Sequence, residues 1–300
     1  MSKIVIIGSS NVDLTVRTAH IPSKGETIFG RDLKMAFGGK GANQAVAISR
    51  LGGDVSFITK VGTDAYGNMM AENLVREGMA AETVIRDSDT PSGVAWICVD
   101  DNGDNSIVVM PGANGTLTVS DLTPYLQLIK EADYLLMQLE IPVEVVTYAA
   151  SVAYENNVKV VLNPAPAGPL SDELLSKTFL LTPNEKECRF LCGDGASDDV
   201  RANATYLHAK GGRNVLVTLG EKGSLLCNEE GFVEIPAEKV VAVDTVAAGD
   251  TYSGALCVAL SEGKSMTGSM IFATKASAIA VTRFGAQSSV PYRREINTDK

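Results

Sequence analysis

An aspartate at the start of a predicted helix, Asp250, is the side chain whose type and position point most directly to chemistry. It follows three small residues, Ala247, Ala248 and Gly249, which leave room for a ligand beside the backbone. The N–H groups in the first turn of a helix lack intrahelical partners, and the helix dipole favours an anion there. The segment 244–251 therefore predicts an anion site with a carboxylate beside it.

A carboxylate repels a bound phosphate, so its presence at an anion site suggests a role in a reaction. Transfer of a phosphoryl group to an alcohol needs a base within hydrogen-bond reach of the hydroxyl, and Asp fills that role elsewhere. The alternative is that Asp250 only caps its helix, as Asp often does near a helix start. Both interpretations stay open on this segment alone, because a short motif is weak evidence.

A second Gly-rich segment, residues 37–44, also opens a predicted helix. It is not a phosphate-binding P-loop, because Lys40 is followed by Gly instead of Ser or Thr and the required earlier Gly is missing. Gly38 and Gly39 instead predict close approach to a polyhydroxyl ligand, with the amide of Asn43 as donor and acceptor. A plain helix N-terminal turn with a solvated Lys is the competing interpretation.

Further polar or Gly-rich segments follow predicted strands. Asn11 and Asp13 come after the first strand and point to one side of an extended chain, so they could hold adjacent hydroxyls. Later strands are followed by Glu140, by Asn184 with Glu187, and by the turn 218–223. Each could also be an ordinary turn or cap. Because open parallel sheets bind ligands at the carboxyl ends of their strands, the segments together predict one site.

The elements that must position these residues alternate between short β-branched runs and longer helical patterns, which is typical of parallel strands joined by crossover helices. The predicted core strands are Lys3 to Gly8, Val55 to Val61, Tyr134 to Gln138, Val158 to Leu162, Phe179 to Thr182 and Asn214 to Thr218. We therefore predict an α/β fold, a three-layer α/β/α sandwich with a mostly parallel central sheet. Residues 1–300 are predicted to form a single domain.

Two segments, about 12–35 and 91–111, are strand-like but lack a long helix. The second contains Asp101-Asn102-Gly103, a hairpin turn signal between two strand-like runs. We predict that these segments form a small antiparallel β lid on the main body.

Composition argues against several classes of protein and partner. The net charge of −10 and the lack of clustered Lys and Arg disfavour nucleic acid as a partner. The five cysteines are odd in number and scattered, which favours reduced thiols in the cytoplasm. No apolar run approaches the roughly 18 residues of a membrane helix, and the N-terminal apolar run is too short for a signal peptide. We expect a cytoplasmic protein that binds neither nucleic acid nor membrane.

Segments 37–44 and 244–250, with Thr182-Pro183-Asn184-Glu185 between them, resemble the ribokinase-like family of sugar kinases. The resemblance runs from the first strand to segment 281–289. It implies ATP-dependent phosphorylation of the 5-hydroxyl of D-ribose to ribose 5-phosphate, and the pair Ala247-Ala248 favours ribose within the family. The alternatives are a kinase for deoxyribose, another sugar or a nucleoside, or, in a different class, a non-catalytic sugar-binding protein. A nicotinamide-dependent oxidoreductase is disfavoured because the dinucleotide fingerprint is missing.

The resemblance also implies residue roles. The residues matching the sugar site are Asn11, Asp13, Gly39, Lys40, Asn43, Glu140 and Asp250. Asp250 would act as the base, and Ala247, Ala248 and Gly249 would surround the transferred phosphate. The matching ATP contacts are Asn184, Glu187, Thr218, Leu219, Gly220, Glu221, Lys222, Gly223, Gly249 and Thr274.

Two metal ions and a partner subunit are implied in the same way. The pattern Asn184-x-x-Glu187 looks like the one that helps hold Mg²⁺ through water. A K⁺ ion beside the anion hole would be held, mostly through backbone carbonyls, by Asp244, Val246, Ala280, Arg283, Gly285 and Ser289. Similar enzymes pair through the lid, which implies a homodimer.

Overall fold

The computed structural model describes residues 2–296, so the predicted domain limits, Met1 and Lys300, lie outside the described residues. A nine-stranded sheet forms the centre, in the order β13-β12-β11-β10-β9-β8-β1-β4-β5. Its strands, numbered in chain order, are β1 (Lys3–Ile7), β4 (Asp54–Gly62), β5 (Val84–Asp87), β8 (Tyr134–Met137), β9 (Lys159–Leu162), β10 (Leu180–Leu181), β11 (Val215–Thr218), β12 (Ser224–Asn228) and β13 (Gly231–Ile235). In this order, each neighbouring pair of strands between β11 and β5 is parallel. Strands β12 and β13 extend the sheet at one edge with antiparallel pairing.

Helices cover both faces of this sheet. They are α1 (Lys40–Arg50), α2 (Ala65–Arg76), α3 (Leu126–Lys130), α4 (Val143–Glu155), α5 (Asp172–Lys177), α6 (Glu185–Cys192), α7 (Val200–Ala209), α8 (Ala248–Ser261), α9 (Met266–Ala280) and α10 (Arg293–Ile296). Strand β1 shows the layering, because Ile4 and Ile6 join a cluster with α1, α8 and α9 while Val5 and Ile7 join a second cluster with α4 and α7. The predicted three-layer α/β/α class is confirmed.

Strand β5 was not among the strands predicted from the sequence. It has four residues, and only its first, Val84, is buried. It pairs with β4 at the edge of the sheet. Such a short, half-polar strand has too little hydrophobic pattern to be recognised alone, and its pairing with a longer neighbour stabilises it.

A separate four-stranded sheet, which we call the small sheet, consists of β2 (Asn11–Arg17), β3 (Leu33–Gly38), β6 (Gly93–Val99) and β7 (Asn105–Met110). The predicted hairpin turn joins β6 to β7, and Gly103 in it has a positive φ of 87°. The two outer pairings of the small sheet, β2–β3 and β6–β7, are antiparallel as predicted, but the central β2–β6 pairing is parallel. The reason is topological, because β2 follows β1 and β6 follows β5, and both leave the large sheet at the carboxyl ends of its parallel strands.

The starts of α1, α6 and α8 meet near the carboxyl ends of the parallel strands, as predicted for the polar segments. None of the helices in residues 2–296 combines the length and apolar character that crossing a bilayer requires. All five cysteines are unpaired and buried. Cys188 and Cys192, four residues apart on α6, pack in the core.

Candidate active site

A cavity of ≈ 200 Å³ lies where the helix starts meet the strand ends. Its lining includes eight residues selected from the sequence: Lys40, Asn184, Glu187, Thr218, Ala247, Ala248, Gly249 and Asp250. It also includes five that were not selected: Asn163, Ala165, Thr182, Thr245 and Ser253. Segments remote in sequence therefore surround one cavity, but its lining does not include five of the residues predicted for the sugar: Asn11, Asp13, Gly39, Asn43 and Glu140.

Asp250 lies in the first turn of α8 and is only 6% exposed. Its Oδ2 accepts a hydrogen bond from Asn43 Nδ2 at 2.9 Å, and its Oδ1 accepts one from Gln44 Nε2 at 3.0 Å. The N-cap position of α8 is Ala247, which provides no side-chain cap. The hydrogen bonds of this carboxylate thus go to amides of α1, and the helix-cap interpretation does not describe it.

The N-cap residue of α8, Ala247, has φ 57° and ψ 13°. This left-handed conformation is unfavourable for a residue with a Cβ, and such strain is often found at functional sites. Ala247 O accepts the N–H of Thr251, so the helix starts at once after the turn. The N–H of Ala248 donates to Thr245 O at 3.2 Å, whereas helix geometry gives the N–H groups of Gly249 and Asp250 no internal acceptor and leaves them for a ligand.

The carboxylate of Glu140, which follows β8, accepts a hydrogen bond from the first residue of α1. The carboxylate Oε2 accepts the N–H of Lys40 at 2.8 Å and the hydroxyl of Ser9. An acidic group at a helix N-terminus is favoured by the helix dipole. Lys40 lines the cavity, and the charge of Asp250 raises the pKa of Lys40 in spite of burial. Lys40 therefore remains a cation beside the cavity.

Asp13 is held in a crowded, acidic setting. A Cβ on Gly38 would stand 2.1 Å from Asp13 Oδ2, so the glycine is needed for this carboxylate to fit. Gly39 has φ 88°, and its Cβ would meet the backbone of residues 9–11. The two glycines thus allow close packing of the chain on itself. Burial, together with the charges of Glu140 and Asp250, raises the pKa of Asp13 to about 6.

Asn184 and Glu187 form a capping box at the start of α6. Asn184 Oδ1 accepts the N–H of Glu187 at 2.9 Å, and Glu187 Oε2 accepts the N–H of Asn184 at 2.8 Å. Both residues also line the cavity, and burial raises the pKa of Glu187. The spacing that suggested a metal-binding pattern therefore has a structural role as well.

The remaining residues predicted for the nucleotide are spread around this region. Thr218 lines the cavity, whereas Leu219 to Gly223 form a tight turn beyond it, with positive φ at Gly220 and Gly223. Thr274 lies buried on α9, and is absent from the cavity lining.

The two segments predicted to hold K⁺ are joined by Asp244. Its Oδ1 accepts the N–H of Val246 at 3.0 Å, and its Oδ2 accepts the N–H of Gly285 at 2.9 Å. The N–H of Asp244 in turn donates to Val281 O at 3.2 Å. Residues 243–246 and 280–285 are therefore adjacent, and their carbonyl groups and this carboxylate are the oxygen donors that a hard cation requires.

Three buried amides that the sequence analysis passed over connect to Asp250. Gln44 Nε2 also donates to Asn163 Oδ1 at 3.1 Å, and Gln44 Oε1 accepts from Gln138 Nε2. Asn163 and Gln138 follow β9 and β8, so they belong to the same strand-end pattern that selected Glu140. That pattern could have found them. Gln44 ends the Gly-rich segment 37–44, but a polar side chain on a helix is more often at the surface, so its position in the sequence did not indicate a buried role.

Residues 1–293 match the family model described as pfkB family carbohydrate kinase. The chain belongs to the pfkB family of carbohydrate kinases. This pfkB kinase is 42% identical over 294 residues to the ribokinase of Haemophilus influenzae, covering 97% of this chain and 96% of the relative. It is 37% identical over 297 residues to a deoxyribokinase of Salmonella typhi, covering 98% and 97%.

The fold of this pfkB kinase is likewise that of solved ribokinases. The structure of Arabidopsis thaliana ribokinase complexed with ribose and ATP matches with a TM-score of 0.91 at 31% identity, covering 98% of this chain and 97% of that one. The predicted family resemblance is confirmed, and the family and its ribokinase relatives support an ATP-dependent sugar kinase over the non-catalytic sugar-binding protein left open above.

Proposed function

We propose that this enzyme transfers the γ-phosphoryl group of ATP to the 5-hydroxyl of D-ribose, giving ribose 5-phosphate and ADP. The observation that carries the proposal is the buried carboxylate of Asp250, which lies at the first turn of α8 beside the cavity and is held by two amides. The similarity to ribokinases over nearly the whole chain supports ribose as the sugar.

In the proposed reaction, Asp250 accepts the proton of the 5-hydroxyl as the sugar oxygen forms its bond to the γ-phosphorus and the bond from that phosphorus to the bridging oxygen of ADP breaks. The first-turn N–H groups of α8, at Gly249 and Asp250, donate to the transferred phosphoryl oxygens. The ammonium of Lys40 adds a positive charge to the same cavity. Water is restricted because the base is buried.

We propose that the sugar is held by the residues around Asp13. Asn11, Asp13 and Gly39 lie at the junction of the small sheet with the body, and Asn43 and Glu140 are connected to Asp250 and Lys40 by hydrogen bonds. Asn43 Oδ1 is buried without a partner, which supports a role as acceptor for a sugar hydroxyl.

The pKa of Asp13 predicts a pH dependence of ribose binding. As the pH falls through about 6, Asp13 becomes protonated and loses acceptor capacity for hydroxyl groups. We expect the Kd for ribose, measured by calorimetry, to rise about tenfold between about pH 7.5 and about pH 5. The Asp13→Asn variant should bind more weakly but with a nearly flat pH dependence, and an unchanged slope in that variant would contradict the assignment.

The contribution of Asp13 to folding stability changes with pH in the opposite direction to its effect on ribose affinity. Because the folded pKa of Asp13 is raised from 3.8 to about 6, the folded protein binds this proton more tightly than the unfolded chain. The contribution of Asp13 to stability is therefore fully present at pH values below 3.8 and is lost as the pH rises to about 6. A loss of ribose affinity on acidification would thus run opposite to the stability change from the same group.

We propose that ATP contacts Asn184, Glu187, Thr218, Gly249, Thr274 and the turn of residues 219–223. Mg²⁺ would be held through water near Glu187, which lines the cavity and carries oxygen atoms of the kind that this ion prefers. When bound, Mg²⁺ would neutralise developing charge on the phosphate oxygens. This position fits because a capping box already fixes the side chain.

We propose that K⁺ binds between the segments that Asp244 joins, through Asp244, Val246, Ala280, Arg283, Gly285 and Ser289. The ion would hold the segment leading into Ala247 without touching the substrates. Turnover should therefore be faster in potassium buffer than in sodium buffer, and equal rates would contradict this site.

We propose that the enzyme is a homodimer that pairs through the small sheet, which acts as a lid on a single kinase domain. Strand β7 is an edge strand whose Ile107, Val108, Val109 and Met110 are all exposed by 47% or more. Such an edge is a template for pairing with another chain. Sedimentation should give about twice the chain mass of 31.6 kDa.

The free thiols support a cytoplasmic location.

A substrate panel tests the proposed activity. Ribose, 2-deoxyribose, fructose and nucleosides are compared with ATP, Mg²⁺ and K⁺, and the phosphate on the product is located by nuclear magnetic resonance. We expect the highest kcat/KM for ribose and phosphate on its 5-oxygen. A higher kcat/KM for 2-deoxyribose would favour the second candidate, a deoxyribokinase, which the 37% identity to such an enzyme keeps open.

A further inference from the structure

A base must present one carboxylate oxygen to the hydroxyl in a fixed direction, because errors of about 1 Å in such geometry can cost about 10²-fold in rate. The two residues before Asp250 on its helix turn, Ala248 and Gly249, have no side-chain polar group that could bond to its carboxylate. Its direction is instead set by hydrogen bonds from α1 to its two oxygens. This inference rests on the proposed function, in which Asp250 is the base.

We propose that Gln44 is the positioning residue that sets the orientation of the Asp250 carboxylate. Gln44 is fully buried, and both ends of its amide are hydrogen-bonded within the protein, so it acts through Asp250 and not by contact with a substrate. Its neighbour Asn43 also binds Asp250, but has an unpartnered oxygen assigned above to the sugar. The two amides therefore have different tasks, although they are adjacent in the chain.

The orientation of the Gln44 amide is determined by its partners. Its Nε2 donates to Asp250 Oδ1 at 3.0 Å and to Asn163 Oδ1 at 3.1 Å, while its Oε1 accepts from Gln138 Nε2. A flipped amide would place its oxygen against two acceptors and its nitrogen against a donor. Only the observed orientation satisfies all three contacts.

The partners of Gln44 are anchored in turn by the large sheet. Asn163 Nδ2 donates to Thr182 O at 2.8 Å, which orients its Oδ1 toward Gln44. Gln138 directly follows β8, and Asn163 directly follows β9. Thr182 follows β10, so a chain of hydrogen bonds through buried amides connects the ends of β8, β9 and β10 to Asp250. The last bond in this chain goes to a charged group, and such bonds are stronger than those between neutral groups.

The test replaces Gln44 by methionine, which has similar length and volume but no N–H donor. We expect kcat to fall by about 10²-fold, while the Kd for ribose stays within about threefold, because the lost contact acts on the base. In the double variant with Asp250→Asn, the Gln44→Met change should have almost no further effect on single-turnover rates measured with radiolabelled ATP. A residue with a merely structural role would not lower kcat while leaving the Kd for ribose unchanged, and its effect would not disappear in the Asp250→Asn background.

Two further variants guard against a loss caused by misfolding. Asn203→Leu removes a remote buried amide that bonds to Ser197, and should lower the melting temperature without changing kcat. Gln138→Met removes only the donor that orients Gln44, and should lower kcat by a smaller factor. If Gln44→Met does not fold, a normal kcat in Gln138→Met overturns the proposal.

The outcomes separate this inference from the proposed function. A normal kcat in folded Gln44→Met, or an effect that multiplies fully with that of Asp250→Asn, overturns the positioning role. Near-normal activity of Asp250→Asn instead overturns the assignment of the base itself. A loss in Asp250→Asn with no loss in Gln44→Met leaves the base in place and rejects Gln44 alone.

Discussion

Replacement of Asp250 by asparagine should lower kcat by about 10³- to 10⁴-fold, while the Kd for ribose changes by less than about threefold. Asparagine has nearly the same shape but cannot accept the proton of the 5-hydroxyl. The loss should therefore appear in the chemical step, as measured by single-turnover assays with ATP and ribose. Turnover near that of the unchanged enzyme would refute the role of Asp250 as the base.

The variant also has a cost in stability that must be measured separately. Asn43 and Gln44 both donate to the carboxylate, so an asparagine amide would place one donor against another. We expect a loss of about 1–3 kcal/mol in the free energy of unfolding, measured by urea denaturation. Asp172→Asn is the matched control, because Asp172 also lies in the first turn of a helix, α5, but is exposed. Its kcat should not change.

The second large effect is expected at Gly249, in the first turn of α8. A Cβ built there meets no atom within 4 Å, so it would extend into open space instead of clashing with the protein. Alanine is favoured over glycine in a helix, and Gly249→Ala should raise the free energy of unfolding by about 0.5–1 kcal/mol. The same methyl group would occupy space that we assign to the transferred phosphate.

We therefore expect Gly249→Ala to lower kcat/KM for ATP by about 10²- to 10³-fold in a protein that is as stable as the parent or more so. Steady-state kinetics and urea denaturation on the same preparation measure both quantities. Gly268→Ala, also in the first turn of a helix, α9, but remote from the cavity, should leave kcat/KM unchanged. Full activity of Gly249→Ala would show that the phosphate does not approach this turn.

The two Gly249 effects together distinguish an active-site function from a packing function. A packing residue loses stability and activity together when it is changed, because both depend on the folded population. At Gly249 the structure predicts opposite signs for the two quantities. Such a stability and activity trade-off is characteristic of catalytic sites.

Much of the fold was predictable because its signals are local. The strands at the centre of the large sheet are apolar on both faces, as buried parallel strands must be, and β1 and β8 were found within one residue of their observed ends. A helix start was predicted at Asp250 from the small residues before it, and the structure begins α8 two residues earlier, at Ala248. The short strand β5 and the parallel pairing of β2 with β6 were not, because they depend on a neighbouring strand.

The amino-acid sequence by itself determined which residue types could do chemistry and that they follow strands or open helices, since hydrophobic period and small residues act over a few positions. Only the tertiary structure decided which of these side chains meet. Gln44 and Asp250 are separated by 206 positions, and Glu140 and Lys40 by 100. Hydrogen bonds between such distant residues depend on how helices and strands pack, and no local pattern encodes that geometry. The two hydrogen bonds that orient the Asp250 carboxylate are for this reason a property of the folded chain.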